Sequence, residues 1–265
     1  MCPIGGSLAG GEGGLFARAR MVAHCLLIET DKSGLVLVDS GLGTLDLAHP
    51  EKRLGRFFPL ITGLKMGGTR PAIDHVRALG FSPKDVRHIL VTHLDLDHAG
   101  GLADFKDATV HVHTNEKNAA FARSTVNEKE RYKPCHFEHG PKWQTYDREG
   151  EPWNGFAAVR SLPGLPEDIL AIPLFGHTRG HACIAVKGER GWLVHAGDAY
   201  FSRASIEGGD APFGLRLFER ATCILGTDRV SANHRRLGEL SRTPGVEVFS
   251  AHDPNEFDKL TAGSR

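Results

Sequence analysis

The sequence predicts a layered α/β fold, an α+β sandwich, in a single domain spanning residues 1–265. Two observations predict it. Short apolar runs that read as strands alternate with helix-like segments in both halves of the chain. No short-period repeat, low-complexity block or composition shift marks a linker between domains.

In chain order, residues 1–20 are Gly-rich and read as a loose N-terminal segment. Two apolar runs, 23–29 and 35–38, flank Asp31-Lys32-Ser33-Gly34 as strand, turn and strand, and the second ends in Asp39-Ser40-Gly41. Residues 44–70 are interrupted by Gly, Pro and Arg and read as a long excursion; their Arg and Phe content makes them a candidate homodimer interface. A helix is expected over 71–79, with Pro71 in its first turn and Gly80 as its stop. Ser82-Pro83-Lys84-Asp85 resembles another helix start and leads into an apolar strand, His88-Ile89-Leu90-Val91. A strand over 109–112 precedes a helix over 114–123, for which Thr114 is the expected cap. Residues 124–165 mix charge, Pro, Gly and aromatics without a period and read as a loop or lid. Strands follow over 169–175, 182–187 and 192–196, then helices over 213–225 and 228–240, then a last strand over 246–250.

Composition excludes several function classes. Lys plus Arg and Asp plus Glu balance at 32 each, so no global field draws the chain to nucleic acid or an anionic membrane. The basic group Arg229, Arg235 and Arg236 reads as a solvated helix face. No stretch has the length and apolarity of a membrane span, and the N-terminus lacks the apolar core of a signal peptide. The five cysteines, Cys2, Cys25, Cys135, Cys183 and Cys223, are scattered without C-x-x-C spacing, which points to reduced thiols and a cytoplasmic location.

Chemistry concentrates at His93-Leu94-Asp95-Leu96-Asp97-His98, followed by Ala99-Gly100-Gly101. Four metal-ligand side chains fall within six positions at the end of an apolar strand. Imidazole and carboxylate suit zinc, iron or manganese. Alternation along an extended segment would put His93, Asp95 and Asp97 on one face, and a break at Asp97 would let His98 swing beside them. Three further apolar runs end in groups of the same kind: Gly176-His177-Thr178-Arg179-Gly180-His181, Gly197-Asp198 and His252-Asp253. A single His or Asp at a strand end is usually a turn former; four such ends supply enough ligands for two ions.

These pieces, with Leu37-Val38-Asp39-Ser40-Gly41, resemble the metallo-β-lactamase fold superfamily in the family's order over roughly residues 22–255, and within it most resemble the N-acyl-homoserine lactonases. The resemblance implies a four-layer αββα sandwich with two divalent metal ions. It implies that His93, Asp95 and His177 hold one ion, that Asp97, His98 and His252 hold the other, and that Asp198 bridges them. A hydroxide between the ions would attack a carbonyl ester-type bond of a small-molecule substrate, a lactone first of all. Asp97 could also accept or relay a proton. Asp39 would orient ligand loops without binding metal. In lactonases of this fold a Tyr soon after the bridging Asp contacts substrate; Tyr200 stands there, and simple packing explains it equally well.

Asp95 departs from the family, which usually has His there. A carboxylate makes the site harder, so iron or manganese stands beside zinc as the expected metal. Two alternatives follow from the same resemblance: a glyoxalase II-like thioester hydrolase, and a non-haem di-iron oxidoreductase. The remaining histidines have modest readings. His181 is structural or behind the site. His111 and His113 share a face of ordinary sheet surface. Cys135, His136, Glu138 and His139 form a small cluster in a mobile cover. Trp143, Trp153 and Phe156 are candidates for an apolar substrate pocket, though packing explains them equally well.

Overall fold

The apolar runs pair into two sheets. A computed structural model of the chain describes residues 1, 3, 5–64, 68–147 and 150–262; Cys2 lies outside them. The first sheet holds five strands in sequence order: β1 (Leu26–Thr30), β2 (Gly34–Val38), β3 (Val86–Leu90), β4 (Thr109–His113) and β5 (Lys142–Tyr146). The β1–β2 hairpin is antiparallel and every later pair is parallel. The second sheet runs in the order β11-β10-β9-β8-β7-β6, from β6 (Glu151–Trp153), β7 (Phe156–Ser161), β8 (Ile169–Pro173), β9 (Ala182–Gly188), β10 (Gly191–His195) and β11 (Val246–Phe249). Only its β10–β11 pair is parallel.

The sheets pack face to face because their central strands are apolar on both sides, the pattern of a strand buried between layers. Val36, Val38 and Leu90 of one sheet meet Ile169, Ala171 and Ile184 of the other. On the outer face of the first sheet, Ile89, Val110 and Val112 pack under Ile73 and Val76 of α4 (Ala72–Ala78) and under Ala119 and Ala120 of α6 (Thr114–Ala122). On the outer face of the second, Ile172, Leu174 and Val194 pack under Ile206 of α8 (Ala204–Glu207) and under Leu237 and Leu240 of α10 (Thr227–Leu240). Helix, sheet, sheet and helix make four layers, as expected. No helix among the described residues is long and apolar enough to cross a membrane.

Four local readings change. The strand before the ligand cluster ends at Leu90, and Asp97 lies in a short helix, α5 (Leu96–Ala99), so strand alternation does not align His93, Asp95 and Asp97. The excursion carries three short helices, α1 (Thr44–Ala48), α2 (Pro50–Leu54) and α3 (Phe57–Thr62). Gly55 and Gly63 stop the last two at φ 79° and 55°, too soon for a helical period to show. The segment over 124–165 is mostly regular: it holds α7 (Val126–Arg131), the edge strands β5 and β6, and β7. The cap of α6 is His113, whose Nδ1 accepts from the Asn115 amide at 3.1 Å, while Thr114 Oγ1 donates to the Tyr146 carbonyl.

Two further helices, α9 (Phe213–Thr222) and α11 (Pro254–Ala262), complete the fold. The loops after β2, β3, β8, β10 and β11 converge at one end of the sandwich. A parallel bridge between Gly41 and Ala99 and the Gly101 amide donating to the Gly41 carbonyl lock the first two loops together. Glycine is required there: a Cβ on Gly101 would stand 2.4 Å from the Ser40 carbonyl oxygen, and one on Gly100 would stand 2.2 Å from Asp46.

Candidate metal centre

Two groups of ligand atoms form where the loops meet. His93, His177 and Asp198 make one; Asp97, His98 and His252 make the other; within each, the ligand atoms lie within 4.8 Å of one another. Asp198 stands between them. Its Oδ1 is 3.1 Å from both His98 Nε2 and His252 Nε2, and its Oδ2 is 3.4 Å from His177 Nε2 and 3.8 Å from His93 Nε2. His98 Nε2, His93 Nε2 and Asp198 Oδ1 are buried and make no hydrogen bond among the described residues. Buried polar atoms are costly without a partner, and here several point into one space, so the donor set fits a divalent cation.

The rings are held from behind, which frees the nitrogens that face inward. Asp39 accepts at Oδ1 from the Thr92 amide, at 2.7 Å, and its Oδ2 lies 2.9 Å from His98 Nδ1. Asp39 itself has a left-handed backbone at φ 55°, a strained conformation that suits a fixed positioning role. His252 Nδ1 lies 2.6 Å from the Val22 carbonyl, so it donates there and leaves Nε2 for a metal. His181 accepts at Nε2 from the Asp198 amide and turns Nδ1 to the Leu174 carbonyl, so it positions Asp198 from behind. Gly197, just before Asp198, is left-handed at φ 54°, and a Cβ there would stand 2.6 Å from that same His181 nitrogen.

Electrostatics separate the two groups. Burial would raise the Asp198 carboxyl, but His252, His98 and His93 hold it well below the carboxylate range. Burial would lower His98, yet Asp198, Asp39 and Asp97 push it well above the ordinary histidine value; His252 is raised too, chiefly by Asp198 against burial. His177 goes the other way, lowered to about 4 by burial and by the Arg131 guanidinium.

The structure places the expected residues unequally. His93, Asp97, His98, His177, Asp198 and His252 come together. Asp95 stands against the first group: its Oδ2 is 3.1 Å from His177 Nε2 and 3.4 Å from His93 Nε2, and it accepts from Arg131 Nη2 at 2.7 Å. Tyr200 is fully buried, with its hydroxyl donating to Glu256 at 2.8 Å. Its neighbour Phe201 faces the site, stacked on His252 with the rings 1° from parallel. His111 and His113, expected on the sheet surface, are buried; His111 lies 2.9 Å from His88. His136 is also buried, 3.0 Å from Asp46, where it ties β5's approach to α1.

Sequence reasoning missed two residues. Arg131 is one. Glu116, fully buried on α6, is the other: it accepts from the amides of Leu94 and Gly180 and from the Tyr132 hydroxyl. It thereby clamps the His93–His98 loop to the His177–His181 loop.

A cavity of about 650 Å³ opens onto both ligand groups. Met21, Leu54, Phe58, Leu96, Phe201 and Phe218 supply apolar wall, and Arg56, Asn127 and Glu130 supply polar lining. Trp143, Trp153 and Phe156 do not line it. Trp143 packs on Phe121 and Phe137, Trp153 on Trp192, and Phe156 lies in the core.

The family model of the metallo-β-lactamase superfamily matches residues 19–240. A protein of Mycobacterium bovis named "Probable metallo-hydrolase" is 37% identical over 240 residues, covering 89% of this chain and 76% of its own length. An N-acyl homoserine lactonase of Bacillus thuringiensis is 26% identical over 230 residues, covering 86% of this chain and 80% of its own. Among solved structures, an N-acyl homoserine lactone hydrolase with N-hexanoyl-L-homoserine bound at its catalytic metal centre superposes with a TM-score of 0.68 at 20% identity. That match covers 97% of this chain and 92% of the other. A dizinc quorum-quenching lactonase superposes at 0.59 with 18% identity, over 91% and 76% of the two chains.

Proposed function

The chain belongs to the metallo-β-lactamase superfamily, and from that membership we propose that it is a metal-dependent hydrolase that opens a lactone carrying an apolar acyl arm. The observation that carries the reading is the cavity itself: a mostly apolar wall that ends on two groups of buried ligand atoms. Lactone hydrolysis needs that combination, a place for the acyl chain beside a centre that activates water and polarises the carbonyl.

Asp97, His98 and His252 would hold one divalent ion and His93 and His177 a second, with Asp198 shared between them. Zinc is the first expectation, and the dizinc centre of one structural neighbour supports it. Bound there, the metal supplies Lewis acidity and brings the pKa of water to about 7. The chain's own residues do the rest. Asp97 lines the cavity and can take a proton at a carboxylate oxygen from the attacking water and return it to the departing ring oxygen. Water then adds OH to the acyl carbon and H to the alcohol, and the ring carbon–oxygen bond breaks. Phe201 keeps the His252 ring in its plane and closes the apolar wall beside the reacting carbonyl.

The iron oxidoreductase reading drew on Asp95 as a hard ligand. The ion pair that the same carboxylate makes with Arg131 favours the hydrolase reading over it. The test is a substrate panel of acyl-homoserine lactones of increasing chain length, simple lactones, thioesters, β-lactams and phosphodiesters. Metal-dependent opening of the acyl lactones is expected, lost with chelator and favouring longer chains. Turnover of thioesters alone, or of none, would overturn the lactone assignment.

A further inference from the structure

Arg131 lies where the first ligand group would receive its ion. Its Nη2 donates to Asp95 Oδ2 at 2.7 Å and lies 2.9 Å from His177 Nε2, the nitrogen with which that ring would bind metal. Its Nη1 donates to the carbonyls of His177 and Thr222 at 3.1 and 3.0 Å. The side chain is about nine-tenths buried, so two backbone carbonyls and a carboxylate fix it with little help from solvent. A guanidinium keeps its charge at any physiological pH, and its planar fork matches this carboxylate. Among the described residues no cation faces the second group in this way: the inward Nε2 atoms of His98 and His252 lie against the carboxylates of Asp97 and Asp198.

We propose that the two ligand groups load unequally: Asp97, His98, His252 and Asp198 take the first divalent ion tightly, and Arg131 holds the His93–His177 group to weak, second-place binding. The pair Asp95–Arg131 thus stands where the family places a neutral imidazole, and puts a fixed positive charge beside the weaker group. An ion entering there must displace Arg131 from His177 and share the space with a cation. Asp95 anchors Arg131 with the same Oδ2 that stands 3.1 Å from His177 Nε2 and 3.4 Å from His93 Nε2, so the guanidinium engages the oxygen that the first group would offer an ion. The proposal rests on the metal-dependent reading above and deepens it.

The test is metal binding itself, with no substrate present. Metal-stripped full-length protein is titrated with zinc against a competing chelator, and the stoichiometry is read by native mass spectrometry. Wild type should take one zinc tightly and a second at least about 10- to 100-fold more weakly, the range over which groups behind a metal site act. His252→Ala should abolish the tight step; His177→Ala should leave it. Arg131→Met should narrow the gap between the two steps. Because that change strands the Asp95 carboxylate, the double variant Asp95→His with Arg131→Met provides a second route: it restores the family's ligand set and should bind two zinc ions with similar affinity. Equal affinities in wild type, a gap unchanged in both Arg131 variants, or loss of the tight step on His177→Ala would each overturn unequal loading. None of those results touches the hydrolase assignment, which the substrate panel decides. Failure of wild type to bind any zinc would take down both.

Discussion

Replacing Glu116 should weaken the fold and the centre together, and the size can be worked from its contacts. The side chain is fully buried and accepts three hydrogen bonds: from the Leu94 amide at 3.0 Å, the Tyr132 hydroxyl at 3.0 Å and the Gly180 amide at 2.9 Å. A hydrogen bond to a charged group contributes about 1.5–3 kcal/mol, and a buried donor left alone costs about 1–3 kcal/mol. Three such losses set an upper bound of roughly 4.5–9 kcal/mol, and water entry and local shifts should bring Glu116→Ala down to about 4 kcal/mol. Glu116→Gln keeps one oxygen for Leu94 and Tyr132 but sets an amide NH2 against the Gly180 amide, and should cost about 2 kcal/mol. Urea unfolding measures both, through a lower midpoint at an unchanged slope. Leu94 lies between His93 and Asp95, and Gly180 between His177 and His181, so zinc affinity should fall in the same order. If both variants unfold within about 0.5 kcal/mol of wild type, or the alanine variant is no worse than the glutamine one, the clamp reasoning is wrong.

Two other expectations are separate from it. Tyr200→Phe removes the hydroxyl that donates to Glu256, so stability should drop by about 1–2 kcal/mol while kcat stays within about twofold of wild type; a large fall in kcat with stability intact would give Tyr200 a part in the reaction. Acid stability should reflect two buried histidines: burial lowers His24 to about 3, with His195 adding to the shift, and lowers His111 to about 4, with His88 adding. An unfolded histidine takes its proton near about 6.5, so between there and 3–4 the unfolded chain binds more protons and stability falls with falling pH. Thermal unfolding of metal-stripped protein should show a slope below about pH 6.5 that His24→Gln with His111→Gln flattens; an unchanged slope would refute the assignment.

The layers and most of the centre were legible because both depend on local pattern. Apolar runs that end in His or Asp mark strand ends, and those ends are where the two groups of ligand-type side chains stand. Short-range chemistry was less legible. Asp97 could not be placed by strand alternation because the strand stops at Leu90 and the chain coils into a helical turn at Leu96. The edge strand Lys142–Tyr146 buries only Tyr146 fully, so it carries no apolar run to read. Glu116 and Arg131 were invisible for another reason: both sit on helices without a motif, and their partners lie 16 to 91 residues away. One signal pointed toward Arg131. A carboxylate at Asp95, in a place meant for imidazole, calls for a buried counter-charge, although only the fold says which arginine supplies it.

The centre itself is tested most directly by anomalous scattering at the zinc edge from crystals of the zinc-loaded protein. A strong peak is expected at about 2.0–2.2 Å from Asp97, His98, His252 and Asp198. Zinc bound only elsewhere on the molecule, or no ordered zinc at these four side chains, would contradict the assignment of the strand-end residues as a metal centre.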